Sequence, residues 1–182
     1  RRVITYDLPG HGINAVPEER YEIEDLSKDL CEALKAKQIG RIDALGLSIG
    51  GMILQDLASR NTQLVEKLIL VDTTYKYTKE WQDNWSTRAS VARENGLESM
   101  IEQCLPAFFT KNYLNENNDC IEYCRKTLLK MNGEGYAKAC EALSDCNLED
   151  RVHLIESDTL ILCGDQDNPL FKDAALWLDD QI

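Results

Sequence analysis

Ser48 is the residue in this sequence best placed to attack a carbonyl. It lies in Gly46-Leu47-Ser48-Ile49-Gly50-Gly51, a Gly-x-Ser-x-Gly pattern between an apolar run, Ile42 to Leu45, and a second apolar stretch, Met52 to Leu54. Such a pattern is expected to fold as a tight strand-to-helix turn that holds the serine in strained backbone geometry. Side chains at Gly46 or Gly50 are expected to collide where strand and helix approach each other. The turn puts Ser48 at a helix N-terminus and aims the Ile49 N–H at a developing oxyanion.

A serine needs a base to take its proton and an acid to orient that base. Two acids follow strand-like runs: Asp72 after Leu64–Val71, and Asp167 after Thr159–Cys163. Asp167 is the stronger candidate because its Gly164-x-x-Asp167 turn can bend the carboxylate back over a sheet; Asp165 competes. The sequence has two histidines, His11 and His153. His11 sits among turn formers and reads as a residue that ties its turn to backbone groups. His153 precedes its strand, on the wrong side of the sheet for catalysis. The base is therefore expected on a loop one strand beyond Ile182.

The elements that must carry these residues alternate. Val3–Tyr6 reads as a buried strand, and Asp7–Gly12 as a sharp turn. Apolar residues at Ile23, Leu26, Leu30, Ala33 and Leu34 give a helix over 22–37, ended by Gly40. Then come the strand and serine turn, a helix to about Arg60, and the strand 64–72. Strands alternating with helices imply a parallel sheet covered on both faces. From 76 to 150 the texture is helical and charged, with turns at Asn115–Asn118 and Asn132–Gly135. The domain reading is 1–75 core, 76–150 helical cap, and 151–182 core again. The cap is expected to lie over the carboxyl edge of the sheet as a lid. The sheet reads as incomplete at both ends, which would leave apolar edges and faces exposed.

Composition narrows the partners. Twenty basic against thirty-two acidic residues in a chain of 182 give a net charge of −12. Such a chain repels phosphate backbones, so no nucleic-acid partner is expected. No run has membrane-spanning length. Seven cysteines, odd in number and scattered, suggest free thiols in the cytoplasm. Cys120-x-x-x-Cys124 lacks the partners of a zinc site, and no glycine-rich nucleotide loop follows a strand; neither metal nor cofactor is expected.

Asp7-Leu8-Pro9-Gly10-His11-Gly12, Gly46–Gly51 and Gly164-Asp165-Gln166-Asp167 together resemble the three landmark turns of α/β-hydrolase-fold enzymes. Trp85-x-x-Arg88, Gly96-Leu97, Phe109-Thr110 and Gly135-Tyr136-Ala137-x-Ala139-Cys140 are similar to the cap of 3-oxoadipate enol-lactonases. Where that family commonly has Arg-Trp-Phe-Thr, this chain has Ala107-Phe108-Phe109-Thr110. The resemblance implies the α/β-hydrolase fold, Ser48 as nucleophile, Asp167 as the triad acid, Ile49 N–H as an oxyanion donor and a structural role for His11. The expected function is hydrolysis of a small carboxylic ester or lactone through an acyl-enzyme. Related esterases and cofactor-free perhydrolases share such caps, and a non-catalytic module that binds a ligand or partner is the competing reading. Arg88 is either a cap cation for a substrate carboxylate or a surface arginine on a charged helix.

Overall fold

The computed structural model describes residues 2–116 and 118–182. The described residues cluster into two compact units. One holds residues up to Arg20 together with Trp81–Ser144; the other holds Tyr21–Glu80 and Asp145–Ile182.

The second unit carries the sheet. Helix α1 (Ile23–Ala36) starts with a reciprocal cap, in which the Glu22 N–H donates to the Asp25 carboxylate at 2.9 Å. It stops at Ala36, with Gln38 at φ 56°, so the turn comes before Gly40. Strand β1 (Ile42–Leu47) leads through Ser48 into α2 (Ile49–Arg60), and β2 (Val65–Val71) follows. After the helical insertion come β3 (Asp158–Leu162) and α8 (Pro169–Gln181). The sheet is parallel throughout, in the order β1-β2-β3.

That order decides which face is covered. Right-handed crossovers between strands that advance in one direction put their connecting helices on one side. The cover over both faces expected from strand–helix alternation is not present among the described residues. Leu68, Leu70 and Ala44 are buried, whereas Leu45 (64%) and Leu47 (60%) on β1 and Leu160 (52%) and Leu162 (46%) on β3 stay exposed. The register aligns Leu45 with Ile69 and Leu160, and Leu47 with Val71 and Leu162, so these residues share the open face. Alternation reveals strands and helices; it does not reveal strand order.

A buried ionic clasp joins α1, α2 and the chain before β3. Asp56, only 1% exposed, accepts from Arg60 Nε at 2.9 Å and Arg151 Nη1 at 3.0 Å, and from the Ser27 hydroxyl. Removing one partner of a buried pair strands the others. Asp56→Ala is expected to cost about 3 kcal/mol, the low end for such a loss because both arginines reach solvent; urea unfolding checks it.

The other unit is helical: α3 (Lys79–Asn95), α4 (Ile101–Phe108), α5 (Lys111–Leu114), α6 (Asp119–Lys130) and α7 (Gly133–Asp145). Its core packs Ala89, Ala92, Met100, Ile101, Cys104 and Cys140. The turn expected at Asn132–Gly135 is instead the start of α7. Asn132 Oδ1 accepts from the N–H groups of Glu134 (2.9 Å) and Gly135 (3.2 Å), which satisfies donors a helix start would otherwise leave open. Of the turn expected at Asn115–Asn118, Asn117 lies outside the described residues; Asn118 caps α6 by accepting from Cys120 N–H. Val3–Tyr6 is not a strand. A strand must pair its backbone groups, and among the described residues the sheet holds only β1, β2 and β3; Val3 and Ile4 are exposed.

Candidate active site

The carboxyl ends of β1, β2 and β3 lie side by side and carry Ser48, Asp72 and Asp167 in that order. Ser48 sits at φ 51°, ψ −117°, a sparsely populated conformation that costs about 1–3 kcal/mol and persists only when neighbours enforce it. Here they do. Ser48 N–H donates to Val71 O at 3.0 Å, and Ser48 O accepts from Gly51 N–H at 2.9 Å. A Cβ on Gly46 would fall 2.4 Å from Gly50 O, so the first glycine is a steric requirement. The same expectation for Gly50 is overturned, because a Cβ there meets nothing within 4 Å. The crowded second position is Gly51. As the first residue of α2, Ile49 has an N–H outside the helix ladder, and the macrodipole adds positive potential there.

Asp72 and Asp167 end adjacent strands. Asp72 (φ 40°) donates its N–H to Leu162 O at 2.9 Å, while its Oδ1 accepts from Gly164 N–H at 2.8 Å. The turn after β3 is closed by Asp167 N–H to Gly164 O at 3.1 Å, and Asp167 Oδ1 accepts from Asn168 N–H at 2.6 Å. Ligand-type atoms of Asp72, Cys163 and Asp167 lie within 4.8 Å of one another. Burial, then the facing Asp72 carboxylate, holds the Asp167 carboxyl above its ordinary range, against the Asn168 N–H and Lys172. Burial, with help from the same acids, pushes the Cys163 thiol up to about 11, so Cys163 stays protonated and is a poor metal ligand. A three-residue acidic group with one neutral thiol does not by itself make a metal centre.

The sign of the Asp167 effect is testable. Its pKa is raised by folding, so its favourable contribution is present below the ordinary carboxylate value and is lost as pH rises through the raised one. Asp72→Asn removes the facing charge while Asn Oδ1 still accepts from Gly164. It is expected to stabilise the fold more at pH 7 than at about pH 4, as read by thermal midpoints at the two values.

The two histidines belong to local turns. His11 Nδ1 donates to Pro9 O at 3.1 Å, tying its own turn. His153 is in the 3-10 turn Val152–Leu154, before the amino end of β3. Arg88 belongs to the helical unit and is not a simple surface residue. Its guanidinium donates to Tyr136 Oη at 2.5 Å and Cys104 Sγ at 3.1 Å and lies 4.8 Å from the Trp85 ring. Burial raises the Tyr136 phenol above its ordinary range, so it stays neutral and does not cancel the arginine charge. The Arg88 Nε is buried without a hydrogen-bond acceptor.

A serine turn thus lies between a parallel strand and its helix, with acids after the next two strands. Residues 1–182 match the family described as alpha/beta hydrolase fold. The chain belongs to the α/β-hydrolase-fold family. The chain is 30% identical over 165 residues to 3-oxoadipate enol-lactonase 2 of Acinetobacter baylyi, covering 91% of the chain and 61% of that relative. It is 25% identical over 190 residues to a pimeloyl-[acyl-carrier protein] methyl ester esterase of Nitrosospira multiformis, covering 100% of the chain and 72% of that relative. Among solved structures, the enol-lactonase from Burkholderia xenovorans LB400 superposes with a TM-score of 0.92 at 28% identity, covering 97% of the chain and 67% of that structure. The chain thus spans about three-fifths of the length of the enol-lactonase relative (61%). No helix among the described residues is long and apolar enough to cross a membrane.

One residue with a direct contact to the serine turn carried no sequence signal. Thr73, buried at 4% exposure, donates its hydroxyl to Ser48 O at 2.7 Å. Nothing in the spacing of a threonine after a strand points 25 residues back.

Proposed function

We propose that this α/β-hydrolase is a serine hydrolase of small carboxylic esters or lactones, working through an acyl-enzyme. Ser48 attacks the carbonyl, the Ile49 N–H holds the oxyanion, and Asp167 orients a histidine that takes the serine proton and returns it to the leaving oxygen. Water then releases the acid by the reverse sequence. The observation that carries this reading is the strained Ser48 (φ 51°) at the head of α2, since such a conformation is maintained at a cost and puts the hydroxyl at the helix N-terminus.

The distance across the sheet suits the reading. β1 and β3, which lead into Ser48 and the Asp167 turn, are two strand spacings apart, roughly 10 Å, a gap that an imidazole hydrogen-bonded at both nitrogens can bridge with help from the two side chains. His11 ties its own turn and His153 precedes β3, so this reading assigns the base to a histidine other than these two. The likeness to enol-lactonases supports a lactone or ester carbonyl as the electrophile. Arg88, whose charge the neutral Tyr136 phenol does not cancel, is proposed to receive a substrate carboxylate. The residues 76–150 are proposed as the cap.

The test is covalent labelling. A fluorophosphonate probe is expected to modify Ser48 in the intact protein and to be blocked by prior incubation with an ester substrate. An intact, folded protein in which Ser48 resists the probe would favour the competing reading, a non-catalytic module, which the local structural settings of His11 and His153 motivate.

A further inference from the structure

We propose that Thr73 is a positioning residue: its hydroxyl sets the peptide between Ser48 and Ile49, and through it the direction and strength of the Ile49 N–H as an oxyanion donor. This inference rests on the serine-hydrolase reading.

The geometry starts from a single peptide unit. The carbonyl of Ser48 and the N–H of Ile49 belong to the same planar, trans peptide, so they point in opposite directions; no cis bond occurs among the described residues. Whatever grips the oxygen therefore aims the N–H. Three donors grip it: Gly51 N–H at 2.9 Å, Met52 N–H at 3.3 Å and Thr73 Oγ1 at 2.7 Å. The first two come from α2 itself and travel with it. Thr73 comes from the chain just beyond β2, so of these three donors it is the one that does not belong to α2.

The threonine has little freedom to do otherwise. Its second acceptor, Thr74 O, is at 3.5 Å, too long to compete with 2.7 Å. A Cβ on Gly51 would come within 2.5 Å of Thr73 Oγ1, so the hydroxyl is wedged against the first turn of α2. A hydrogen bond accepted by a carbonyl also polarises its peptide and strengthens the N–H at the other end. Thr73 thus does two things to one group: it fixes where the N–H points and makes it a better donor.

The chemistry predicts a kinetic signature. Ground-state binding gains little from a stronger donor, whereas the tetrahedral oxyanion gains more, so the loss should fall on kcat rather than KM. In the intact protein, Thr73→Val is expected to lower kcat for p-nitrophenyl butyrate by roughly threefold to tenfold, the size of one net hydrogen bond, with KM little changed. Thr73→Ser, which keeps the hydroxyl, is expected to restore most of it. A folded Thr73→Val enzyme with wild-type kcat overturns the proposal, as does a Thr73→Ser enzyme that loses as much as the valine variant.

A second readout does not depend on turnover. The Ile49 amide proton signal is expected to move upfield in Thr73→Val and return in Thr73→Ser. An unmoved Ile49 signal overturns the proposal. If the wild-type protein turns over no ester while that signal still moves, the hydrolase reading fails and the Thr73 coupling stands.

Discussion

On the proposed serine mechanism, ester turnover by the intact protein is expected to fall on the order of a millionfold when Ser48 becomes Ala, because that change removes the covalent route and leaves only binding and oxyanion stabilisation. The same position offers a second, independent expectation. Ser48 holds φ 51°, where a side chain is strained and glycine is not. Ser48→Gly should therefore raise stability by about 1 kcal/mol while abolishing turnover as completely as alanine does. A serine kept for structural reasons would show the opposite pattern, with activity retained or stability lost. Steady-state kinetics and urea unfolding on the two variants separate these outcomes. Turnover that survives Ser48→Ala would sink the mechanism.

Asp167→Asn is the second large effect, expected to lower kcat by about ten-thousandfold with KM little changed, as when an uncharged amide replaces the acid behind a catalytic histidine. Asparagine keeps the shape of the turn and can still accept from Asn168 N–H. It cannot stabilise an imidazolium, and it admits the wrong tautomer. Asp72→Asn is expected to cost far less, because Asp72 is already engaged by Gly164 N–H at 2.8 Å and serves mainly as the charge that Asp167 faces. Equal losses from the two variants would mean that the acid has been assigned to the wrong strand.

Much of the fold could be read from residue order because local sterics and apolar runs carry it. The apolar runs around β1, β2 and β3 mark strands whatever their neighbours, and Gly46 has to be glycine because Gly50 O stands where a Cβ would go. Other features depend on partners distant in sequence. The open face with Leu45 and Leu160 follows from strand order, which alternation does not encode. Val3–Tyr6 has strand composition but no paired strand. Asn132 looked like part of a glycine-rich turn, yet its side chain starts a helix. Thr73 is the sharpest case: its role depends entirely on an acceptor in another element.

The insertion between β2 and β3 leaves and re-enters at nearly the same point. Lys76 and Asn147 form an antiparallel bridge, Leu148 N–H donates to Tyr75 O at 2.9 Å, and Lys76 pairs with Glu149 at 2.6 Å. Bridged residues lie about 5 Å apart, a gap that a two-residue hairpin spans. The insertion is therefore a side loop closed at its base. Closing a longer loop costs only about 0.6 kcal/mol per doubling of length, so lengthening the insertion adds little to the cost of closing its base.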